Sequence, residues 1–232
     1  MNPGNRKHKH KRSTRMTDFA AARRTMVDTQ VRPADVTSYA LIDAMLWAPR
    51  ERFVPRARRD IAYAETDIEL APGRVMLQPR TMGKMLEAAA IEPNDLVLDL
   101  APGTGYSAAV IARMAEAVVA VEPDGELAKQ AQALLVELEV DNAVVTQGDP
   151  AAGDPDHGPY GVIFVNGAVE TLPDALVGQL KQGGRLVALF RDGGLGKCCV
   201  LTRAGNGVSR RFVFEADAPV LKGFEKPAAF AF

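Results

Sequence analysis

The stretch LVLDLAPGTGY, residues 96–106, decides the fold class of this 232-residue chain. Its first part, Leu96–Leu100, is a compact apolar run typical of a strand that is buried on both faces of a parallel sheet. Gly103 and Gly105 then interrupt the strand, because glycine adopts turn conformations that other residues avoid. Apolar residues at helical spacing predict a helix that begins near Thr104. Strand, glycine turn and helix together form the repeating unit of an α/β fold.

The alternation of strand and helix continues downstream and indicates a mostly parallel, doubly wound sheet. Further buried strands are predicted at Ala117–Val121, Ala143–Thr146, Gly161–Val165 and Arg185–Phe190. Helices are predicted at Glu126–Leu138 and Pro173–Leu180. Three strands without intervening helices follow at Lys197–Arg203, Ser209–Phe214 and Lys222–Phe232. They predict an antiparallel C-terminal edge, with a hairpin turn at Asn206-Gly207.

The segment before the first sheet strand is predominantly helical. Helices are predicted over residues 17–31, 37–47 and 81–91, and Thr17 or Asp18 is the candidate cap of the first. No linker divides the chain after residue 15, so we expect one domain over residues 16–232. Its parts are an N-terminal cover, a core that binds a cofactor, and the C-terminal strands, at residues 16–92, 93–190 and 191–232.

Charge is distributed unevenly along the chain. The total is −1, but residues 1–15 carry six basic groups and no acidic one, which leaves 22 basic and 29 acidic groups in the rest, a net charge of −7. The basic tail is predicted to be disordered or to precede a functional start at Met16; contact with nucleic acid or an anionic surface is the alternative. Because the acidic body offers no matching basic motif, nucleic acid is not an expected partner.

Composition excludes several classes of protein. With 47% hydrophobic and 25% charged residues the chain is of ordinary globular type, and it has neither a membrane-spanning run nor the apolar segment of a secretory signal. Its two cysteines, Cys198 and Cys199, are adjacent and point to opposite faces of a strand, which favours free thiols and a cytoplasmic location. With three histidines, two of them in the tail, zinc hydrolases and Ser-His-Asp enzymes are not expected, nor is a metal site.

Three acidic residues lie at or just after the ends of three consecutive predicted strands: Asp99, Glu122 and Asp149. Ligands of open α/β sheets bind outside the carboxyl ends of the strands, where these side chains meet. Glu122 can accept hydrogen bonds from both hydroxyls of a ribose, and Asp149 can accept one from the amine of adenine. Each could instead cap a helix or lie solvated at a strand end, but together they predict an acidic cleft of nucleoside size.

Two nucleoside cofactors fit this cleft. The spacing Gly103-x-Gly105-x-x-Ala108 matches the relaxed dinucleotide fingerprint, which leaves a nucleotide-dependent oxidoreductase as an alternative. S-adenosylmethionine is favoured because Asp99 precedes the glycines, where it would repel a pyrophosphate but attract an amino-acid ammonium group. The long helical segment before the first strand points the same way.

The chain resembles the protein-L-isoaspartate O-methyltransferase family from about Met26 to Phe190. The segments that carry the resemblance are Gln30–Pro33 (QVRP), Pro49–Pro55 (PRERFVP), Ala62-Tyr63, Gln78-Pro79, Asp99–Tyr106 and Gln179–Val187 (QLKQGGRLV). The segment Pro49–Pro55 is the most specific to this family, whereas the glycine loop and the segment ending in Val187 are shared with many methyltransferases.

The resemblance implies a Rossmann-like fold dependent on S-adenosylmethionine, with S-adenosylhomocysteine as product. It implies methylation of an isoaspartyl carboxylate in a damaged protein or peptide, and thus a role in protein repair. The implied cofactor-binding residues are Asp99, Ala101, Gly103, Gly105, Tyr106, Glu122 and Asp149. Transfer is a direct displacement that depends mainly on positioning the two reactants in line.

The resemblance breaks at the loop that helps hold the acceptor, which reads Gly-x-Thr-Ile-Ser-Gln-Pro in the family. Here residues 73–79, the acceptor loop, read GRVMLQP, so that Val75 replaces the threonine and Leu77 the serine. Both hydroxyls are lost, and leucine cannot donate a hydrogen bond to a carboxylate. In the loop before the first core helix, Ala101 stands in place of the first glycine, and Pro150 replaces the glycine that usually follows Asp149.

Candidate acceptor-side residues follow from these differences. Leu77, Gln78 and Asn166 are expected at the transfer site, and Arg74, Val75 and Arg80 beside the acceptor, where an arginine can bind a carboxylate through two hydrogen bonds. Two methyltransferase-fold hypotheses remain open: an enzyme of the isoaspartyl type, with either the isoaspartyl carboxylate or an altered acceptor, and a non-catalytic relative that retains cofactor binding. The oligomeric state is not determined by the sequence.

Overall fold

The computed structural model describes residues 18–205 and 207–227. The basic tail, the candidate cap Thr17, the turn residue Asn206 and the last five residues lie outside this part of the chain. The α-helices are α1 Phe19–Met26, α2 Tyr39–Trp47, α3 Pro79–Ala89, α4 Tyr106–Ala112, α5 Gly125–Glu137 and α6 Asp174–Gly178. The strands are β1 Ile68–Ala71, β2 Arg74–Met76, β3 Leu96–Leu100, β4 Ala117–Glu122, β5 Ala143–Gln147, β6 Tyr160–Val169, β7 Leu180–Phe190, β8 Lys197–Ala204 and β9 Gly207–Glu215.

The seven core strands form one sheet in the order β5-β4-β3-β6-β7-β8-β9. Pairing is parallel from β5 to β7 and antiparallel at β7–β8 and β8–β9. The predicted fold class, a mostly parallel α/β sheet with an antiparallel C-terminal edge, is therefore confirmed. Cys198 and Cys199, on β8, are both free and buried against opposite faces of the sheet.

The predicted strand over Lys222–Phe232 is wrong in its described part, because Lys222–Pro227 form a turn, a bend and irregular structure. Just before this segment Val220 makes a parallel bridge to Ala168, and the chain then curls over the end of β6. Leu221 and Phe224 are buried there against one face of the sheet. Burying two side chains three residues apart requires a turn, since alternate residues of a strand point the same way.

The first predicted helix is divided into two kinds of helix. α1 is capped by Asp18, whose Oδ1 accepts a hydrogen bond of 3.0 Å from the Ala21 amide, and it continues as a π-helix over Val27–Val31. Buried residues of the N-terminal cover and of the core sheet form one hydrophobic cluster, which places the cover against the face that carries α4. No helix within the described ranges is long and apolar enough to span a bilayer.

The β1–β2 hairpin contacts the carboxyl edge of the sheet, through Arg74 at Glu122 and Leu70 at Gly103. Ile68–Ala71 and Arg74–Met76 form two short antiparallel strands joined through Pro72 and Gly73. Gly73 has φ +71°, a conformation that favours glycine, and the turn is exposed. β2 leads through Leu77 and Gln78 into α3, so the acceptor loop is anchored in structure at both ends.

Candidate functional site

Asp99 lies at the carboxyl edge of the sheet, within a buried hydrogen-bond network. Its Oδ2 accepts a hydrogen bond of 2.7 Å from the Ser107 hydroxyl, and its Oδ1 accepts one of 2.6 Å from Asn166 Nδ2. Asn166 also donates to the Leu100 carbonyl at 3.1 Å. Burial raises the pKa of Asp99 to about 7, although both hydrogen bonds favour the ionised form. The structure thus brings the predicted residues Asp99 and Asn166 together.

Glu122 ends β4 on the neighbouring strand and is fully buried. Its two oxygens accept hydrogen bonds from the amides of Gly103 at 2.8 Å and Asp124 at 3.1 Å. They also accept two from the Arg74 guanidinium, at 2.6 Å from Nη1 and 2.8 Å from Nη2. Arg74 Nη2 donates in addition to the Ala101 carbonyl at 2.9 Å. This contact across 48 residues of sequence joins the β1–β2 hairpin to the carboxyl edge of the core sheet. We call this edge, with Asp99, Glu122 and the loop between β3 and α4, the cofactor edge.

The loop between β3 and α4 is held in the left-handed region of backbone space. Ala101, Gly103 and Gly105 have φ values of +57°, +63° and +90°. A Cβ atom on Gly105 would lie 3.0 Å from the Cβ of Ala131 on α5, so glycine also permits close packing here. The loop therefore presents its backbone at the strand ends, as a nucleoside site requires.

Asp149 follows β5 and is exposed, with Oδ1 accepting a hydrogen bond of 2.9 Å from the Ala151 amide. The Gly148 amide donates to the Glu122 carbonyl at 3.1 Å, which ties this loop to the end of β4. A cavity of about 530 Å³ opens beside it, lined by Pro123, Gly148, Asp149, Pro150, Lys222, Gly223 and Glu225. The sequence did not indicate that Lys222–Glu225 lies beside Asp149, because this segment was predicted to be part of a strand.

The acceptor-loop side chains point in different directions. Leu77 is fully buried in the hydrophobic core, and Val75 is half-buried on β2. Gln78 and Arg80 line a separate cavity of about 280 Å³ with Thr81, Lys84 and residues of β9 and its end. The structure therefore does not bring all the predicted acceptor residues together: Arg74 is at Glu122, whereas Gln78 and Arg80 lie at the start of α3 and line a cavity toward the end of β9.

Arg50, from the family-specific segment Pro49–Pro55, is a residue to which the sequence analysis gave no role. It is fully buried, and it donates to the carbonyls of Ala62 and Leu77, each at 2.7 Å. Gln78 follows Leu77, and its backbone amide donates to Asp67 Oδ1 at 2.7 Å. Arg50 and Asp67 thus hold the Leu77–Gln78 peptide unit from both sides, an arrangement we call the peptide clamp.

The peptide clamp also contacts the start of α4, directly after the loop that follows β3. The Arg50 guanidinium lies 4.8 Å from the ring centroid of Tyr106, the first residue of α4, and both side chains are buried. Burial lowers the pKa of Arg50 and raises that of Tyr106. The clamp therefore joins the acceptor loop, at the Leu77–Gln78 peptide, to the start of α4 at the cofactor edge.

These residues fit the cofactor predicted from the sequence. A buried carboxylate at the end of β4 has the acceptor oxygens that a ribose diol requires, the positive-φ loop admits close approach of a ligand, and Asp99 lies beside that loop. Within the described ranges, no group of three or more His, Cys, Asp or Glu side chains is placed to hold a metal ion.

Comparisons with known proteins identify the family. The family model for protein-L-isoaspartate(D-aspartate) O-methyltransferase matches residues 22–209. A protein-L-isoaspartate O-methyltransferase of Methylorubrum extorquens (strain PA1) is 38% identical over 214 residues, which cover 91% of this chain and 93% of the relative. The corresponding protein of Koribacter versatilis (strain Ellin345) is 40% identical over 172 residues, covering 74% of this chain and 78% of the relative.

Solved structures share the fold. A protein-L-isoaspartate O-methyltransferase superposes with a TM-score of 0.74 at 23% identity, covering 88% of this chain and 66% of its own. A putative member from Plasmodium falciparum, solved in complex with S-adenosyl-L-homocysteine, gives 0.74 at 18% identity, covering 86% and 98%. These structures confirm the predicted fold, and the family model and the relatives of 38% and 40% identity confirm the predicted reaction class. The chain belongs to the protein-L-isoaspartate(D-aspartate) O-methyltransferase family, whose members are S-adenosylmethionine-dependent methyltransferases.

Proposed function

We propose that this chain methylates an isoaspartyl carboxylate of a protein or peptide with S-adenosylmethionine, as a cytoplasmic repair enzyme. The observation that carries the proposal is the pair of buried carboxylates, Asp99 and Glu122, that flanks a positive-φ loop at the carboxyl edge of the sheet. Membership of the family supports the donor and the class of acceptor.

On the cofactor side, each carboxylate has a distinct partner. Glu122 would accept hydrogen bonds from the ribose hydroxyls, and Asp149 would accept one from the adenine amine in the cavity beside it. Ionised Asp99 would attract the ammonium group, while Ser107 and Asn166 hold its orientation. Ala101, Gly103, Gly105 and Tyr106 would form the surface on which the nucleoside lies.

The chemistry requires positioning more than proton transfer. S-adenosylmethionine supplies a methyl group on an electrophilic sulfonium; as the acceptor oxygen–carbon bond forms, the sulfur–carbon bond breaks, and a neutral ester and thioether result. A carboxylate acceptor needs no general base. The chain's task is to hold the acceptor in line, and we assign this to Asn166 and the backbone at Leu77, with Arg74 and Val75 on the hairpin. Gln78 and Arg80, which line a separate cavity at the start of α3, would contact the acceptor from that side.

A second candidate function has one observation in its favour. Both acceptor-loop hydroxyls are absent, and the Leu77 side chain is buried in the core, where it presents nothing to a carboxylate. A relative that binds the cofactor but methylates another carboxylate, or none, would have the same cofactor edge.

Two measurements test the proposal. Calorimetric titration with S-adenosylhomocysteine should show binding, and titration with NADH should show none. Transfer of labelled methyl groups should occur to a peptide with one isoaspartyl residue and not to the same peptide with ordinary aspartate. Cofactor binding without transfer to either peptide would favour the second candidate, and NADH binding alone would exclude both.

A further inference from the structure

We propose that Arg74 is an internal competitor for the ribose site, so that cofactor binding displaces its guanidinium from Glu122 and opens the β1–β2 hairpin. This inference rests on the proposed function, because it takes Glu122 as the ribose ligand. It assigns to Arg74 a role in setting cofactor affinity, in addition to any contact with the acceptor.

The hydrogen-bonding capacity of Glu122 carries the argument. An ionised carboxylate has about four acceptor positions. All are engaged, two by the amides of Gly103 and Asp124 and two by the Arg74 guanidinium. The amides belong to the backbone of the site, whereas Arg74 comes from outside the core sheet. A ribose diol therefore gains two positions on Glu122 only if Arg74 gives them up.

A second contact closes the same place. The Leu70 side chain of β1 lies over Gly103, so close that an added Cβ on the glycine would overlap its Cδ1 atom. Leu70 and Arg74 stand on the two strands of one hairpin, and together they cover the loop and the carboxylate that the nucleoside would contact. Displacement of Arg74 and movement of Leu70 are thus one motion of the hairpin.

The hairpin is built to move at modest cost. Its strands have four and three residues, its turn is exposed, and Arg74 Nε is buried without a hydrogen-bond partner. The pair itself is largely desolvated, with side-chain exposures of 13% for Arg74 and 0% for Glu122. Buried ion pairs lose hydration when they form, so exchanging this one for ribose contacts returns a charge to water.

Substitution of Arg74 by glutamine tests the proposal. We expect Arg74→Gln to lower the dissociation constant for S-adenosylhomocysteine by about tenfold or more, because removing a competing closed state raises the fraction of competent protein. The matched control is Arg58→Gln, which removes the same charge from an exposed position and should leave the constant within about twofold. Arg74→Lys keeps the charge but not the paired hydrogen bonds, and it should give an intermediate value.

Hydrogen exchange gives a readout independent of affinity. The amides of residues 68–76 should exchange faster in Arg74→Gln than in the parent, and S-adenosylhomocysteine should speed their exchange in the parent only. If both proteins bind the ligand and Arg74→Gln binds equally or more weakly, Arg74 is not a competitor and the inference is overturned. If neither binds it, the proposed function fails, and the displacement fails with it. Thermal unfolding of each variant shows whether it is folded.

Discussion

The cofactor edge and the acceptor loop of this molecule obey different constraints. The cofactor edge lies at the ends of the central parallel strands β3 and β4, and its key groups are buried carboxylates and backbone in fixed conformations. The acceptor loop lies in the N-terminal cover, outside the core sheet. The cofactor edge retains the carboxylates that the family resemblance implies, Asp99 and Glu122, whereas the acceptor loop has lost both hydroxyls.

The difference indicates which residues of this fold can be substituted without loss of stability. A substitution at Asp99 or Glu122 alters a buried charge with several hydrogen-bond partners, and it affects folding and cofactor binding together. A substitution at Val75 alters one side chain on a short hairpin, and the fold persists. A change of acceptor therefore requires less from the fold at Val75 than a change at either buried carboxylate would.

The largest effect on stability is expected at the peptide clamp, which joins the acceptor loop to the cofactor edge. Arg50→Ala should lower the free energy of unfolding by about 4 kcal/mol, because two buried carbonyl groups lose their donors and a cavity forms beside Tyr106. Arg113→Ala is the control: Arg113 also stacks on an aromatic ring, that of Trp47, but is half exposed and should cost about 1 kcal/mol or less. Urea denaturation measures both, and equal losses would show that the clamp does not join the two regions.

Restoring the family serine tests the cost of change within the acceptor loop. Leu77→Ser should destabilise the fold by about 3 kcal/mol, since it removes a fully buried side chain and places a hydroxyl in the core. Val75→Thr restores the other hydroxyl on a half-buried strand, and it should change stability by less than about 1 kcal/mol. Denaturation of the two single variants gives the values, and a smaller loss for Leu77→Ser would mean that this region repacks freely.

The cofactor edge could be predicted from the sequence because its logic is topological. The carboxyl ends of parallel strands meet at one edge, so acidic residues after three strands had to lie on it, and Asn166 followed for the same reason. Arg74 was expected beside an acceptor, and its pairing with Glu122 was missed. That pairing depends on where the hairpin lies on the core, which local periodicity does not encode.

The role of Arg50 was missed, and the C-terminal strand was wrongly predicted, for related reasons. The partners of Arg50 are backbone carbonyls, which every residue has, so nothing in the sequence distinguishes Ala62 and Leu77 as acceptors; the signal was an arginine within a motif of otherwise structural residues. Lys222–Pro227 has a composition that suits a strand, but after β9 the chain returns to the end of β6, whose neighbours in the sheet are already β3 and β7, so a further strand finds no partner there. Propensity cannot report that absence of a neighbour.

Glycine substitutions separate backbone strain from packing at the cofactor loop. Gly105→Ala should cost about 1–2 kcal/mol for its positive φ, and about 1 kcal/mol more because its Cβ would approach Ala131 on α5. Gly193→Ala is the matched control, with φ +68° and no atom within 4 Å of the added Cβ, so it bears only the backbone cost. If the two variants have the same stability, the close packing of α5 on this loop has no energetic weight.

The smallest expected effect is a pH dependence confined to the cofactor edge. Because burial raises the pKa of Asp99 to about 7, the native state holds a proton that the unfolded chain, with a pKa near 3.8, has released. The stability contributed by that proton is complete below the unfolded pKa and is lost as pH rises through 7. Asp99→Asn cannot titrate, and its amide can keep the contacts with Ser107 and Asn166.

The stability of the parent relative to Asp99→Asn should therefore fall by about 0.7 kcal/mol between pH 6.5 and 7.5, half of the full single-proton slope, and then level off. Denaturation of both proteins in the same buffers cancels every other titrating group, and parallel curves would refute the assignment. Over the same interval S-adenosylhomocysteine should bind the parent more tightly as pH rises, because ionised Asp99 attracts the ammonium group. The charge that favours the ligand is thus the one that the fold tolerates least.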